Sequence, residues 1–131
     1  MAKIVGVTLS NRLVAGLVVD HTLAGGLRFF PEAQDDEYAL VEMPAEDIVE
    51  TMTQQVLAAA GGERQIAAVG VGVPGFVRNG VVEEAPNLPQ LKGARMEEML
   101  ATHLRAEGID APVRIINDAD GFAAGIAALT W

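Results

Sequence analysis

The sequence contains no cysteine. Disulfides, thiolate metal sites and thiol nucleophiles are therefore excluded together, and the composition suits a reducing compartment. Long apolar runs are also missing, since none approaches the roughly 20 residues that span a bilayer. The amino terminus, residues 1–6, has the pattern of a strand instead of a signal peptide. We therefore expect a cytoplasmic protein with no membrane partner.

Basic side chains are scarce. Lys and Arg number 9 against 18 Asp and Glu, which gives a formal net charge of -9 at pH 7. A chain with this charge repels a phosphate backbone unless its basic groups cluster, and these do not. Nucleic acid is therefore not an expected partner.

Apolar residues are abundant, at 50% of a chain of 131 residues, whereas charged residues make up 21%. This balance excludes a disordered chain, and the length suits one domain over residues 1–131. No internal repeat, low-complexity tract or linker divides the sequence.

The first third of the chain predicts strands. Valine-rich apolar runs cover residues 4–9, 13–19 and 23–30 and are interrupted by residues that favour turns. They predict a three-stranded meander. An acidic loop over 31–37 and a further short strand over 38–43 are predicted to follow.

The middle of the chain changes to helical periodicity. Apolar residues at helical spacing predict a helix over 46–60, and Gly61 supplies a residue that ends helices readily. The continuous apolar run over 66–73 then predicts a strand covered on both faces. A strand, a helix and a second buried strand imply a parallel crossover.

The remaining pattern begins with Asn79-Gly80 between apolar runs, which predicts a β-hairpin. Residues 83–93 carry two prolines and predict no helix. The elements predicted after them are an amphipathic helix from Met96 to near Gly108, a buried strand over 113–116 and a helix over 118–129.

This order of elements indicates an α/β fold. Three meandering strands followed by alternating helices and parallel strands is the order of the ribonuclease H-like fold, which also forms one lobe of the actin-like ATPases. We predict that fold for the whole chain.

Residues 70–75 read Gly-Val-Gly-Val-Pro-Gly and formally match the dinucleotide-binding pattern of glycines. That pattern works only where its last glycine opens a helix whose amino terminus meets the pyrophosphate. A hairpin follows here instead. We therefore place Gly70 and Gly72 inside a strand, with Pro74-Gly75 ending it, and predict no nucleotide at this motif.

Asn117-Asp118 directly follows a predicted buried strand and precedes a predicted helix. Ligands of open α/β sheets bind beyond the carboxyl ends of strands, so this pair is placed for chemistry. Asp118 is equally suited to cap the helix by accepting unpaired amides. The residues alone leave both interpretations open, and one side chain can do both.

Other polar residues have simpler interpretations. Asn87 lies in an irregular loop where it can hydrogen-bond its own turn. His21 and His103 are far apart with no third ligand in evidence, so no metal site is predicted. Glu97 and Glu98 are interpreted as part of a solvated face.

Taken together, residues 70–75, the hairpin through Gly80, Pro86-Asn87-Leu88 and the sequence from Asn117 to Asp120 resemble the amino-terminal lobe of the ROK family. That family contains bacterial glucokinases, other sugar kinases and sugar-responsive repressors. The resemblance covers essentially the whole chain.

The resemblance implies a sugar bound between two lobes of an actin-like fold. Asn87 and Asn117 would contact the sugar, and Gly75 would line its pocket. Asp118 would be the catalytic base that takes the proton of the attacking hydroxyl. The implied ligand is a small-molecule sugar, with ATP and magnesium only in an active two-lobed parent and no cofactor in this chain alone.

The sequence also departs from the family pattern. The first turn of the family carries Asp-x-Gly-Gly-Thr for magnesium and the ATP phosphates, whereas residues 8–12 read Thr-Leu-Ser-Asn-Arg. Thr8, Ser10, Asn11 and Arg12 therefore form a degenerate phosphate turn, in which Arg12 still attracts anions. Asp120 replaces a common asparagine.

These departures leave three hypotheses. The first is the sugar-binding lobe of a ROK-type sugar kinase, inactive without its second lobe, which the chain lacks. The second is a non-catalytic sugar-sensing or regulatory domain that has lost the phosphate turn. The third is a structural or dimerising domain. The apolar sequence of residues 118–129 leads us to expect either a homo-oligomer or packing against a missing lobe.

Overall fold

The computed structural model describes residues 3–9, 12–20, 22–31, 40–86 and 88–117. Its strands and helices follow the predicted order closely. The strands are β1 (Lys3–Leu9), β2 (Leu13–Val19), β3 (Thr22–Phe30), β4 (Ala68–Val73), β5 (Phe76–Arg78), β6 (Val81–Glu84) and β7 (Val113–Asn117). The helices are α1 (Ala45–Ala60) and α2 (Met96–Ala106), with a short 3₁₀ helix at Pro89–Leu91.

A five-stranded sheet in the order β3-β2-β1-β4-β7 forms the centre of the fold. Strands β1, β2 and β3 pair antiparallel, which confirms the predicted meander. Strands β4 and β7 add in parallel, so the crossover through α1 is also confirmed. The carboxyl ends of β1, β4 and β7 consequently meet at one edge of the sheet.

Helix α1 forms because its apolar residues recur at helical spacing. Ile48, Val49, Met52 and Val56 are fully buried on one face. The helix ends at Gly61, whose φ of 61° is the left-handed conformation that glycine adopts at little cost. The predicted boundaries are therefore correct to within one residue.

The core lies between one face of the sheet and the two helices. On β1 the residues alternate, with Val5, Val7 and Leu9 buried and Gly6 and Thr8 exposed. The buried set joins the apolar residues of α1 and α2 in one cluster. Burying a side chain of this size contributes roughly 1.5–3 kcal/mol, so this face supplies most of the stability.

The opposite face of the sheet carries a row of glycines. Gly6 pairs with Gly16 on one side and with Gly70 on the other. A β-carbon added at Gly6 or Gly70 would meet nothing within 4 Å, whereas the side chains of Leu23 and Leu27 cover Gly16. Among the described residues, no helix covers this row.

The predicted hairpin is confirmed. Strands β5 and β6 pair antiparallel around Asn79 and Gly80, which have φ values of 52° and 77°. Two consecutive residues with positive φ form the tight turn that Asn-Gly favours.

One predicted strand is wrong. Residues 40–43 form a turn instead of the end of a strand, with the Met43 amide donating to the Leu40 carbonyl at 3.1 Å. The side chain of Gln90 donates to the same Leu40 carbonyl and to that of Met43, each at 2.9 Å. The carbonyls of Leu40 and Met43 thus bond to a side chain instead of to the backbone of a neighbouring strand.

Smaller differences concern element ends. Strand β4 starts at Ala68, two residues later than predicted, and β7 includes Asn117. The predicted helix over 118–129 lies outside the described residues. No helix among the residues that the structure describes is long and apolar enough to cross a membrane.

Candidate functional site

The carboxyl edge of the parallel strands is the candidate site. Asn117 is the last residue of β7 and pairs in register with Val73, the last residue of β4. Its side chain is half-buried. Because parallel strands present their carboxyl ends together, Asn117 lies next to the Pro74-Gly75 turn that follows β4. The sequence places Asn117 at the end of a buried strand, and the structure shows it as the last residue of β7.

Gly75 has a structural reason to be glycine. Its φ is 116°, and a β-carbon placed on it would lie 1.9 Å from the carbonyl oxygen of Glu84. The turn after β4 therefore packs directly against the backbone of strand β6. This contact sets the hairpin at the edge of the sheet and accounts for Gly75 whether or not a ligand binds there.

Arg12 is held within the protein. Its Nη2 donates to the carbonyl oxygen of Pro31 at 2.8 Å and its Nε donates to the same oxygen at 3.2 Å. The guanidinium carbon lies 4.6 Å from the centroid of the Phe29 ring. Hydrogen bonds and a cation–π contact thus join the turn after β1 to the end of β3.

A family model described as "ROK family" matches residues 31–130. The chain belongs to the ROK family. Comparison with curated protein sequences found no match.

Solved structures with the same fold include ROK sugar kinases. An inorganic polyphosphate/ATP-glucomannokinase from Arthrobacter sp. strain KM is 24% identical with a TM-score of 0.73, and the match covers 98% of this chain and 49% of that one. A ROK family glucokinase from Streptomyces griseus, in complex with glucose and AMPPNP, is 22% identical with a TM-score of 0.72, over 98% of this chain and 37% of that one. A ROK hexokinase from Thermus thermophilus is 21% identical with a TM-score of 0.63, over 89% of this chain and 35% of that one.

These matches show the fold. The predicted ribonuclease H-like, actin-like lobe is confirmed, and this ROK chain spans about half or less of the length of the structures that it matches.

The described part of the first turn of this ROK chain offers no carboxylate to a magnesium ion. Magnesium prefers oxygen ligands, above all carboxylates, whereas the described part of the turn offers the exposed Thr8 and the cationic Arg12. The guanidinium is also directed to Pro31. We derive no chemical step through magnesium at this turn.

Four of the predicted site residues lie outside the described residues: Ser10, Asn11, Asn87 and Asp118. The neighbours of Asn87 are described. Leu88 is 1% exposed and its amide donates to the carbonyl of Ala85 at 3.0 Å. Ala85 and Leu88 are both buried and anchor the Pro-Asn-Leu loop to the core, whereas Pro86 between them is exposed.

His103 joins the two helices. Its Nε2 lies 2.9 Å from Oε1 of Glu46 and its Nδ1 lies 2.9 Å from Oε2 of Glu50. Among the described residues, no group of three His, Cys, Asp or Glu side chains is placed to hold a metal ion. His21 lies outside them. Glu46 and Glu50 lie one helical turn apart and share a face of α1, but their contact with His103 is created by tertiary packing between residues about 50 positions or more apart.

Glu97 was missed by the sequence analysis. It was interpreted as part of a solvated face, but its side chain is half-buried and its Oε2 accepts a hydrogen bond from the Ile115 amide at 3.2 Å. The pair is separated by 18 positions and is created by tertiary packing. No local pattern in the sequence indicates it.

Proposed function

We propose that this chain is the sugar-binding lobe of a ROK-type sugar kinase, which in a two-lobed parent would phosphorylate a hexose with ATP. The observation that carries the proposal is the placement of Asn117 at the carboxyl end of β7, in register with Val73 and beside the Pro74-Gly75 turn. Membership of the ROK family supports it, as do structural neighbours described as glucomannokinase and glucokinase.

The roles of the residues follow from the chemistry of phosphoryl transfer. The side-chain amide of Asn117 can both donate to and accept from sugar hydroxyls, and Asn87 would add a second such group. A sugar hydroxyl attacks the γ-phosphorus, its proton passes to the Asp118 carboxylate, and the bond from that phosphorus to ADP breaks. The lobe's own contribution is to orient the hydroxyl and accept the proton.

A second candidate function is a non-catalytic sugar-sensing domain. The observation that favours it is the engagement of Arg12 with Pro31 and Phe29, which occupies the turn that the family uses for the ATP phosphates. Such a domain would keep the sugar residues of the carboxyl edge and need no phosphate donor.

Both candidate functions require that the chain bind a sugar. An NMR titration of the labelled chain with glucose and mannose tests this requirement. We expect millimolar binding, because an open edge leaves the sugar hydroxyls competing with water. The shifts should concentrate at Gly75, Asn117 and their neighbours. Asn117→Ala should abolish them.

The matched control is Asn79→Gly. It removes an asparagine of the hairpin turn and keeps the positive φ that the turn requires. The control should bind sugar like the wild type. Binding that survives Asn117→Ala, or shifts spread evenly over the chain, would contradict the proposal.

Turnover by a two-lobed parent separates the kinase from the sensor. Asp118→Asn should abolish transfer to sugar and leave sugar binding largely intact, because the amide can still cap a helix but cannot take the proton. A parent that binds sugar but transfers no phosphoryl group would support the sensor. Unchanged turnover in the variant would refute the role of Asp118.

A further inference from the structure

Glu97 touches the two elements that flank the candidate site. It stands in the first turn of α2, where its backbone amide donates to the carbonyl of Gly80 at 3.2 Å. A β-carbon on Gly80 would lie 2.7 Å from the Glu97 β-carbon, so the hairpin turn packs directly against this side chain. Its carboxylate accepts the Ile115 amide of β7. One residue thus joins α2, the hairpin turn and β7.

The Ile115 amide lies on the free edge of β7. In the parallel pairing of β4 with β7, the Val69 amide donates to Pro112, so the backbone groups of alternate residues, Arg114 and Ile116, face β4. The amides of Ile115 and Asn117 point the other way. Among the described residues no further strand pairs with this edge.

A carboxylate is a strong acceptor for a backbone amide in a half-buried position. Without it, the Ile115 amide would have to find water or remain unpaired, and β7 would lose a hydrogen bond to α2. Asn117 is two residues further along the same strand and on the same edge. Loosening β7 at Ile115 would therefore disturb the backbone that carries Asn117.

We propose that Glu97 is a positioning residue for the carboxyl end of β7, which it holds so that Asn117 keeps its place at the sugar site. The contacts of Glu97 support the claim that it holds β7. The claim that this affects sugar binding rests on the proposed function. Glu97 does not need to touch the sugar, and its effect passes through the Ile115 amide.

Hydrogen exchange of the intact chain tests whether Glu97 holds β7 at Ile115. Glu97→Ala should speed exchange of the Ile115 amide about tenfold relative to that of Val56, which lies in helix α1 and does not pair with β7. Glu97→Gln retains an acceptor oxygen and should stay within about threefold of the wild type. The Asn117 side-chain amide resonances should move in Glu97→Ala and return in Glu97→Gln.

Glu98→Ala is the matched control. It removes a carboxylate from the same helical turn, but Glu98 is exposed, and among the described residues its carboxylate pairs with Arg95 at 3.8 Å. It should leave the Ile115 amide and the Asn117 resonances unchanged. A general loss of stability in Glu97→Ala would instead accelerate Val56 and Ile115 alike.

Sugar titration of the same variants tests whether Glu97 affects sugar binding. Glu97→Ala should weaken glucose or mannose binding about fivefold, and Glu97→Gln should restore it. If the wild type binds no sugar, the proposed function fails, while the exchange experiment still decides whether Glu97 holds the strand. If the wild type binds and Glu97→Ala binds equally well with unchanged Ile115 exchange, the proposal for Glu97 is overturned.

Discussion

The carbonyl oxygen of Glu84 occupies the space into which a β-carbon on Gly75 would project, 1.9 Å from its ideal position. Gly75→Ala must therefore shift the hairpin as well as strain a backbone at φ 116°. We expect the free energy of unfolding to fall by about 3 kcal/mol or more. Chemical denaturation measures it.

Gly93→Ala is the control for backbone strain alone. Gly93 has a φ of 83°, but a β-carbon there meets nothing within 4 Å. Its cost should be about 1–2 kcal/mol. Equal losses in the two variants would show that the contact with Glu84 does not matter.

The ion pair between Lys3 and Glu63 predicts a loss of stability in acid. The hydrogen bond from the Lys3 ammonium, 2.5 Å from Oε2, is the main cause that lowers the pKa of Glu63 below its ordinary value of 4.5. The Gln65 amide lowers it further. A lowered pKa in the folded state stabilises the protein above the ordinary value, and this contribution is lost as the pH falls through the lowered value.

Denaturation curves between about pH 6 and pH 2 test this dependence. Glu63→Gln should flatten the decline in stability over the acid range, since the variant has no carboxylate to protonate there. Lys3→Met should flatten it in part, because the amide donors to Glu63 remain. If the free energy of unfolding falls with pH as steeply in Glu63→Gln as in the wild type, the Lys3–Glu63 pair is not a source of acid sensitivity.

The contacts of His103 with Glu46 and Glu50 should couple helices α1 and α2 only weakly. The carboxylates are largely exposed, so a double-mutant cycle of His103→Gln with Glu46→Gln should give a coupling energy of about 0.2–1 kcal/mol. High salt should reduce it. A coupling energy of zero at low salt would show that the contact contributes nothing to stability.

Self-association stays a prediction from the apolar sequence of residues 118–129, which lie outside the described part of the chain. Light scattering at high micromolar concentration checks it. A clean monomer would contradict it.

The sequence was a good guide where its signals were local. Periodicity located α1, Asn79-Gly80 located the hairpin, and the order of elements predicted the sheet topology that the structure shows. The strand over 38–43 was wrong over its described part because Gln90, remote in sequence, pairs with the carbonyls of that segment.

The candidate site was predictable in part. The placement of Asn117 beside Val73 follows from the rule that parallel strands share a carboxyl edge. The interactions of Glu97 and Arg12 with Ile115 and Pro31 were not predictable, because each depends on side-chain packing between segments distant in sequence.

The contact of Arg12 with Pro31 has a consequence for protein engineering. Pro31 is buried, and replacing Arg12 with the small residue that a nucleotide turn requires would remove the donor to its carbonyl. An unsatisfied buried carbonyl costs about 1–3 kcal/mol. A single substitution would therefore destabilise the fold before it brought any affinity for nucleotide. Conversion of this turn should begin with a substitute donor for Pro31, so that the intermediate variants keep their stability.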